Sequence, residues 1–198
     1  TFTANVVDWD EINNSGYRTI DWGDFNYEVM NAETKDKIKW TKVNLREATK
    51  SDTFNVNAVD WKELGNSRST RSKYKLVDWA EVDYANLDEE TKEGIHWSNL
   101  QYKEASQSDS FNLNVVDWGE VSSSVYKKID WSDFKYDEID SATKDEIKWT
   151  KVNFKEAIES SSFTADDVDW SQFKNSKTTQ DKYKLFDWSE VDYSNLSS

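Results

Sequence analysis

The chain has 198 residues, of which 39 are acidic and 25 are Lys or Arg, giving a formal net charge of −14. That balance argues against a nucleic-acid partner, whose phosphates need clustered cations, and against a simple anionic membrane surface. The absence of Cys excludes disulfides, thiolate metal sites and thiol catalysis, and no apolar run approaches the roughly 20 residues of a membrane-spanning helix.

The predicted elements follow one motif along the chain. All eleven tryptophans, from Trp9 to Trp188, sit in the same local pattern, with successive gaps of 13, 18, 21, 18, 18, 21, 13, 18, 21 and 18 residues. Adding 109 to the first five positions gives the seventh to the eleventh. Repeats of this kind are the first feature to read, because they set the architecture. The triplets run 1–52, 53–109 and 110–161, with a partial fourth at 162–198. The whole chain, 1–198, reads as a single repeat array and as a piece of a longer one.

Within each triplet the first Trp follows a long gap ending in a similar segment (SDTFNVNAVDW, SDSFNLNVVDW, SSSFTADDVDW). The second Trp has Tyr five residues on, at Tyr27, Tyr84, Tyr136 and Tyr193. Between the second and third Trp, ETKDKI, EETKEGI and ATKDEI read as one short helical turn, with Asn31 or Ser141 as its cap. The stretches SRSTRS (67–72) and SQSDS (106–110) read as loops.

Apolar residues fall at minus 2, 0, plus 3 and often plus 5 relative to Trp. Steps of 2 and 3 fit neither a helix nor a simple strand. With β-branched residues at minus 2, the pattern predicts a mainly β fold: a β-solenoid of about eleven short coils with short helical turns. Stacked at about 4.8 Å, eleven coils would span roughly 50 Å. Pentads such as VDWAE (77–81) and VDYAN (82–86) resemble those of pentapeptide-repeat proteins, although Val or Ile stands where that family has Ala. The 0, 3, 5, 8 spacing is similar to a leucine-rich-repeat core and implies, as an alternative, an α/β solenoid. The wording of the repeat also resembles the Trp-containing arrays of large cyanobacterial surface proteins.

Candidate sites are weighed against the repetition. His96 is the single His and cannot form a triad or a multi-His metal site. It occupies the slot of Lys39 and Lys148, as a solvated or ladder-paired cation. A ladder of Asp8, Asp21, Asp60, Asp78, Asp117, Asp130, Asp169 and Asp187 reads as turn-forming or solvated, with calcium as the competing reading. Acid pairs such as Asp10/Glu11 and Glu89/Glu90 recur with the repeat, whereas a glycosidase needs one particular pair across a cleft. Trp reads as core and not as a sugar platform. The Tyr set keeps its hydroxyls at the surface.

No catalytic, cofactor-binding or metal residue is therefore assigned. The expected function is a structural segment of a larger extracellular or cell-surface assembly, acting as spacer, fibre or adhesive rod. Its alternative is a multivalent protein- or glycan-binding module. Protein partners or self-association are expected, with no membrane insertion.

Overall fold

The structure, a computed structural model, describes residues 4–65, 67–174 and 177–186. Among these residues there is no β-strand; the chain is a succession of α-helices of four to seven residues and three-residue 3-10 turns. The expected β-solenoid is thereby overturned. So is the α/β alternative, which also needs a strand in every coil.

The physical reason lies in how the 2-3 stepping is made. Trp and the residue at plus 3 belong to one helical turn, as in Trp97–Asn99 followed by Leu100. The residue at minus 2 lies in an extended link before that turn. Ile38 has φ −68° and ψ 125°, Ile95 φ −63° and ψ 125°, and Ile147 φ −62° and ψ 127°. Steps of 3 are thus taken inside a turn, and steps of 2 cross a link. The β-branched residues satisfy their extended preference in single residues without pairing to a neighbour. Backbone hydrogen bonds close locally, as from Ile38 N–H to the Thr34 carbonyl and from Val43 N–H to the Trp40 carbonyl.

Helices this short are marginal on their own, so their ends are stabilised by side chains. Asn31, Asp88 and Asp140 cap the helices Ala32–Lys37, Glu89–Gly94 and Ser141–Glu146, accepting from the Thr34, Thr91 and Thr143 amides. The Asn31 cap is the expected one. In the third triplet Asp140, not Ser141, performs it. The stretch 67–72 is also not a loop: Ser67 caps a helix at Arg68–Tyr74 whose Thr70 and Tyr74 are buried. Residues 106–110 are turns.

The chain divides into two compact units, Thr1–Ser108 and Asp109–Ser198, and the division falls within a residue of the end of the second triplet. In the first unit Trp9, Trp22, Trp40, Trp61, Trp79 and Trp97 are all fully buried. Tyr17 stacks on Trp22 with ring centroids 6.0 Å apart, and Tyr74 on Trp79 at 5.7 Å. The second unit repeats this with Tyr126 on Trp131 at 5.6 Å, and Tyr183 stacks on the preceding Trp170 at 4.7 Å as Tyr74 packs on Trp61 at 5.0 Å. Trp118, Trp131 and Trp149 are fully buried there, and Trp170 is partly exposed. Asp187, Trp188, Tyr193 and Leu196 lie outside the described residues.

Within a triplet, distant segments are joined by side chains. Asn5, Asn57 and Asn114, each four residues before Trp, use both ends of the amide. Asn57 Nδ2 donates to the Asn86 carbonyl at 2.9 Å, and its Oδ1 accepts from Asp88 N–H at 3.2 Å. Asn5 does the same with Val29 and Asn31, and Asn114 with Glu138 and Asp140. Each clamp ends on the residue that caps the six-residue helix.

Candidate functional site: the Asp–Trp motif

The motif that recurs most often is the natural candidate, and its two residues have separate tasks. A helix leaves its last carbonyls without partners. In every described copy the indole Nε1–H donates to the carbonyl five residues earlier. Trp22 donates to Tyr17 at 3.1 Å, Trp40 to Lys35 at 2.9 Å, Trp79 to Tyr74 at 2.7 Å and Trp149 to Lys144 at 2.8 Å. Trp9, Trp61, Trp97, Trp118, Trp131 and Trp170 make the same bond. The indole therefore closes the end of the preceding turn and buries its rings against the next.

The preceding Asp works in the opposite direction. Asp60 Oδ1 accepts from Glu63 N–H at 2.9 Å and Asp117 Oδ1 from Glu120 N–H at 3.2 Å. Asp8, Asp21, Asp78, Asp130 and Asp169 accept from the amide two residues on. Each carboxylate thus caps its own turn, as the turn-forming reading expects. Among the described residues no group of three or more His, Asp or Glu side chains is placed to hold a metal ion.

The tyrosines at plus 5 follow the same five-residue rule, contrary to the expectation of surface hydroxyls. Tyr27 donates to the Trp22 carbonyl at 3.0 Å, Tyr84 to Trp79 at 3.0 Å and Tyr136 to Trp131 at 2.6 Å. All three rings are buried, and burial raises each hydroxyl above its ordinary pKa. A second tyrosine set went unnoticed in the sequence. Tyr17, Tyr74 and Tyr126, each five residues before a second-member Trp, accept from the Lys39, His96 and Lys148 amides at 2.8 to 2.9 Å. Their recurrence at minus 5 was the available signal.

The third Trp of a triplet shows an exchange between two solutions. In the second triplet Tyr102 supplies the hydroxyl that binds the Trp97 carbonyl at 3.1 Å. The first and third triplets have Leu45 and Phe154 instead. There an ammonium from 33 residues downstream takes over. Lys73 Nζ donates to the Trp40 and Val43 carbonyls at 2.8 and 2.9 Å. Lys182 Nζ donates to the Trp149 and Val152 carbonyls at 3.1 and 2.8 Å and lies 4.2 Å from the Phe154 ring centroid. Burial lowers both ammonium groups to a pKa of about 8.

The other candidates do not converge. His96 is half-buried, and its Nε2 is enclosed with no hydrogen-bond partner. Lys148 Nζ donates to the Val121 carbonyl at 3.1 Å. Among the described residues neither Lys39, His96 nor Lys148 is ion-paired with an aspartate of the motif. Of the acid pairs, Asp10 and Glu11 are exposed, Glu89 pairs with Lys92, and Glu90 pairs with Lys35 at 3.1 Å. Comparison with protein-family models, curated proteins and solved structures finds no match to this chain.

Proposed function

We propose that the chain is a non-catalytic structural segment of a larger extracellular or cell-surface assembly, serving as a spacer, fibre or adhesive element. The observation that carries this reading is the use of the motif's own chemistry. In all ten described copies the indole N–H is bonded within the repeat. The Trp side chains that would form a sugar platform are instead holding turns closed. A multivalent binder needs one exposed constellation in every triplet, and the buried tyrosines at plus 5 do not supply it.

The proposal includes no cofactor; calcium held by the motif carboxylates is the competing reading. The test combines two measurements on the intact chain: tryptophan emission during titration with a panel of soluble glycans, and thermal melting in millimolar calcium. The structural reading expects unchanged emission and an unchanged melting temperature. A saturable emission change with one glycan would replace it with the binding-module reading.

A further inference from the structure

The repeat offers an internal comparison that exposes a cavity. Three residues after the second Trp stand Phe25, Val82 and Phe134 in the three complete triplets. The backbone at these positions is held identically. Ser51, Ser108 and Ser160 each donate a hydroxyl to the carbonyl of that residue, at 2.8, 2.8 and 2.7 Å. Phe134 reaches the ring of Phe111, with centroids 5.9 Å apart. Val82 puts no ring at this position, and it lines one pocket with Phe54, the counterpart of Phe111. Val77 likewise stands where the other triplets have Ile20 and Ile129.

A pocket of about 350 Å³ is lined here by Phe54, Val56, Val77 and Val82 together with Asp78, Glu81, Asp83 and three asparagines. That volume is within the ordinary range of small-ligand sites. The rim differs between triplets too. Lys135 stands in the third where Asp83 stands in the second, 3.7 Å from Glu138. Among the described residues Asp78, Glu81 and Asp83 have no cation paired with them. The same Asp, Glu, Val, Asp spacing returns 109 residues later in the sequence, at Asp187, Glu190, Val191 and Asp192.

We propose that this cavity receives an aromatic side chain flanked by a positive charge, presented by a protein partner. The ring occupies the place that Phe134 fills in its own triplet and packs on Phe54, where an aromatic pair adds to area burial. The flanking cation meets the three carboxylates, giving charge complementarity that selects against acidic partners. This goes beyond the structural role, because a spacer has no need of such a pocket in its second triplet.

The test is a methyl NMR titration of the full chain with 2-phenylethylamine, a cation at neutral pH. Two comparators, 3-phenylpropanoate and butylamine, remove the charge match and the ring in turn. The expected result is saturable shifts confined to the Val56, Val77 and Val82 methyls, with either comparator binding roughly tenfold more weakly. Val82→Phe fills the space from within and abolishes the shifts while the chain melts no lower. Should that variant misfold, Glu81→Gln with Asp83→Asn serves instead and weakens binding of 2-phenylethylamine selectively. No saturable shift in the native chain, equal binding of the anion, or shifts surviving in Val82→Phe would overturn the proposal.

Discussion

At the scale of single residues, stability rests on polar groups at the edges of aromatic rings. A fully buried Trp removes about 150–250 Å² from water, worth roughly 4–6 kcal/mol as an upper estimate. The direction of each ring is set by its hydrogen bond. Tyr136→Phe tests this cleanly, since it keeps the ring and deletes only the donor to the Trp131 carbonyl. It should cost about 1–3 kcal/mol, because the carbonyl left behind is buried, and denaturant titration measures it. Lys73 gives a pH signature. Burial holds its folded pKa at about 8, below the ordinary lysine value of 10.5. Between those values the unfolded chain holds more protons, so this residue makes stability rise with pH across that window. Below it both states are charged, and the desolvation cost is fully present. The stability gap between the native chain and Lys73→Met should widen from pH 8 to pH 10. A gap independent of pH would contradict the assignment.

At the scale of elements, each short helix is held by what precedes and follows it. Asp closes the start of a turn and Trp the end of the one before. Much of this was legible. Asn31 and the ETKDKI segment announce a capped helix, and Asp before Trp announces a turn. The strands inferred from the 2-3 stepping were not there, because a single extended residue between two helical turns leaves the same apolar signature as a short strand. Arg68–Tyr74 was hidden by its Ser, Thr and Arg content, and its reason to be helical, the burial of Thr70 and Tyr74, is tertiary. Lys73 and Lys182 were also illegible, since their partners lie 30 and 33 residues away. The exchange between tyrosine and lysine predicts a rescue. Lys73→Met should lower the denaturation midpoint, and adding Leu45→Tyr should restore part of the loss by offering a hydroxyl to the Trp40 carbonyl. An additive or worse double variant would show that the two solutions are not equivalent. The Asn clamps make a second prediction. Asn114→Asp replaces the donor to the Glu138 carbonyl with a carboxylate oxygen. The loss should exceed the roughly 1 kcal/mol of an ordinary hydrogen bond at neutral pH and shrink as the carboxyl protonates in acid.

At the scale of the whole molecule, two units are built from the same triplet by the same bonds, and nearest-neighbour side chains replace the sheet that a polar repeat would otherwise need. Among the described residues no Asp or Glu is fully buried, while the tryptophan rings from Trp9 to Trp149 are. In all ten described copies Trp acts as an internal lock, its indole bonded within the repeat. Hydrogen exchange at the indole Nε1–H groups, followed by NMR on the intact chain, tests it most directly. Slow exchange is expected for the nine fully buried indoles from Trp9 to Trp149, at rates tracking unfolding of the unit that holds each, with faster exchange at the partly exposed Trp170. Rapid exchange at the buried nine under native conditions would contradict it.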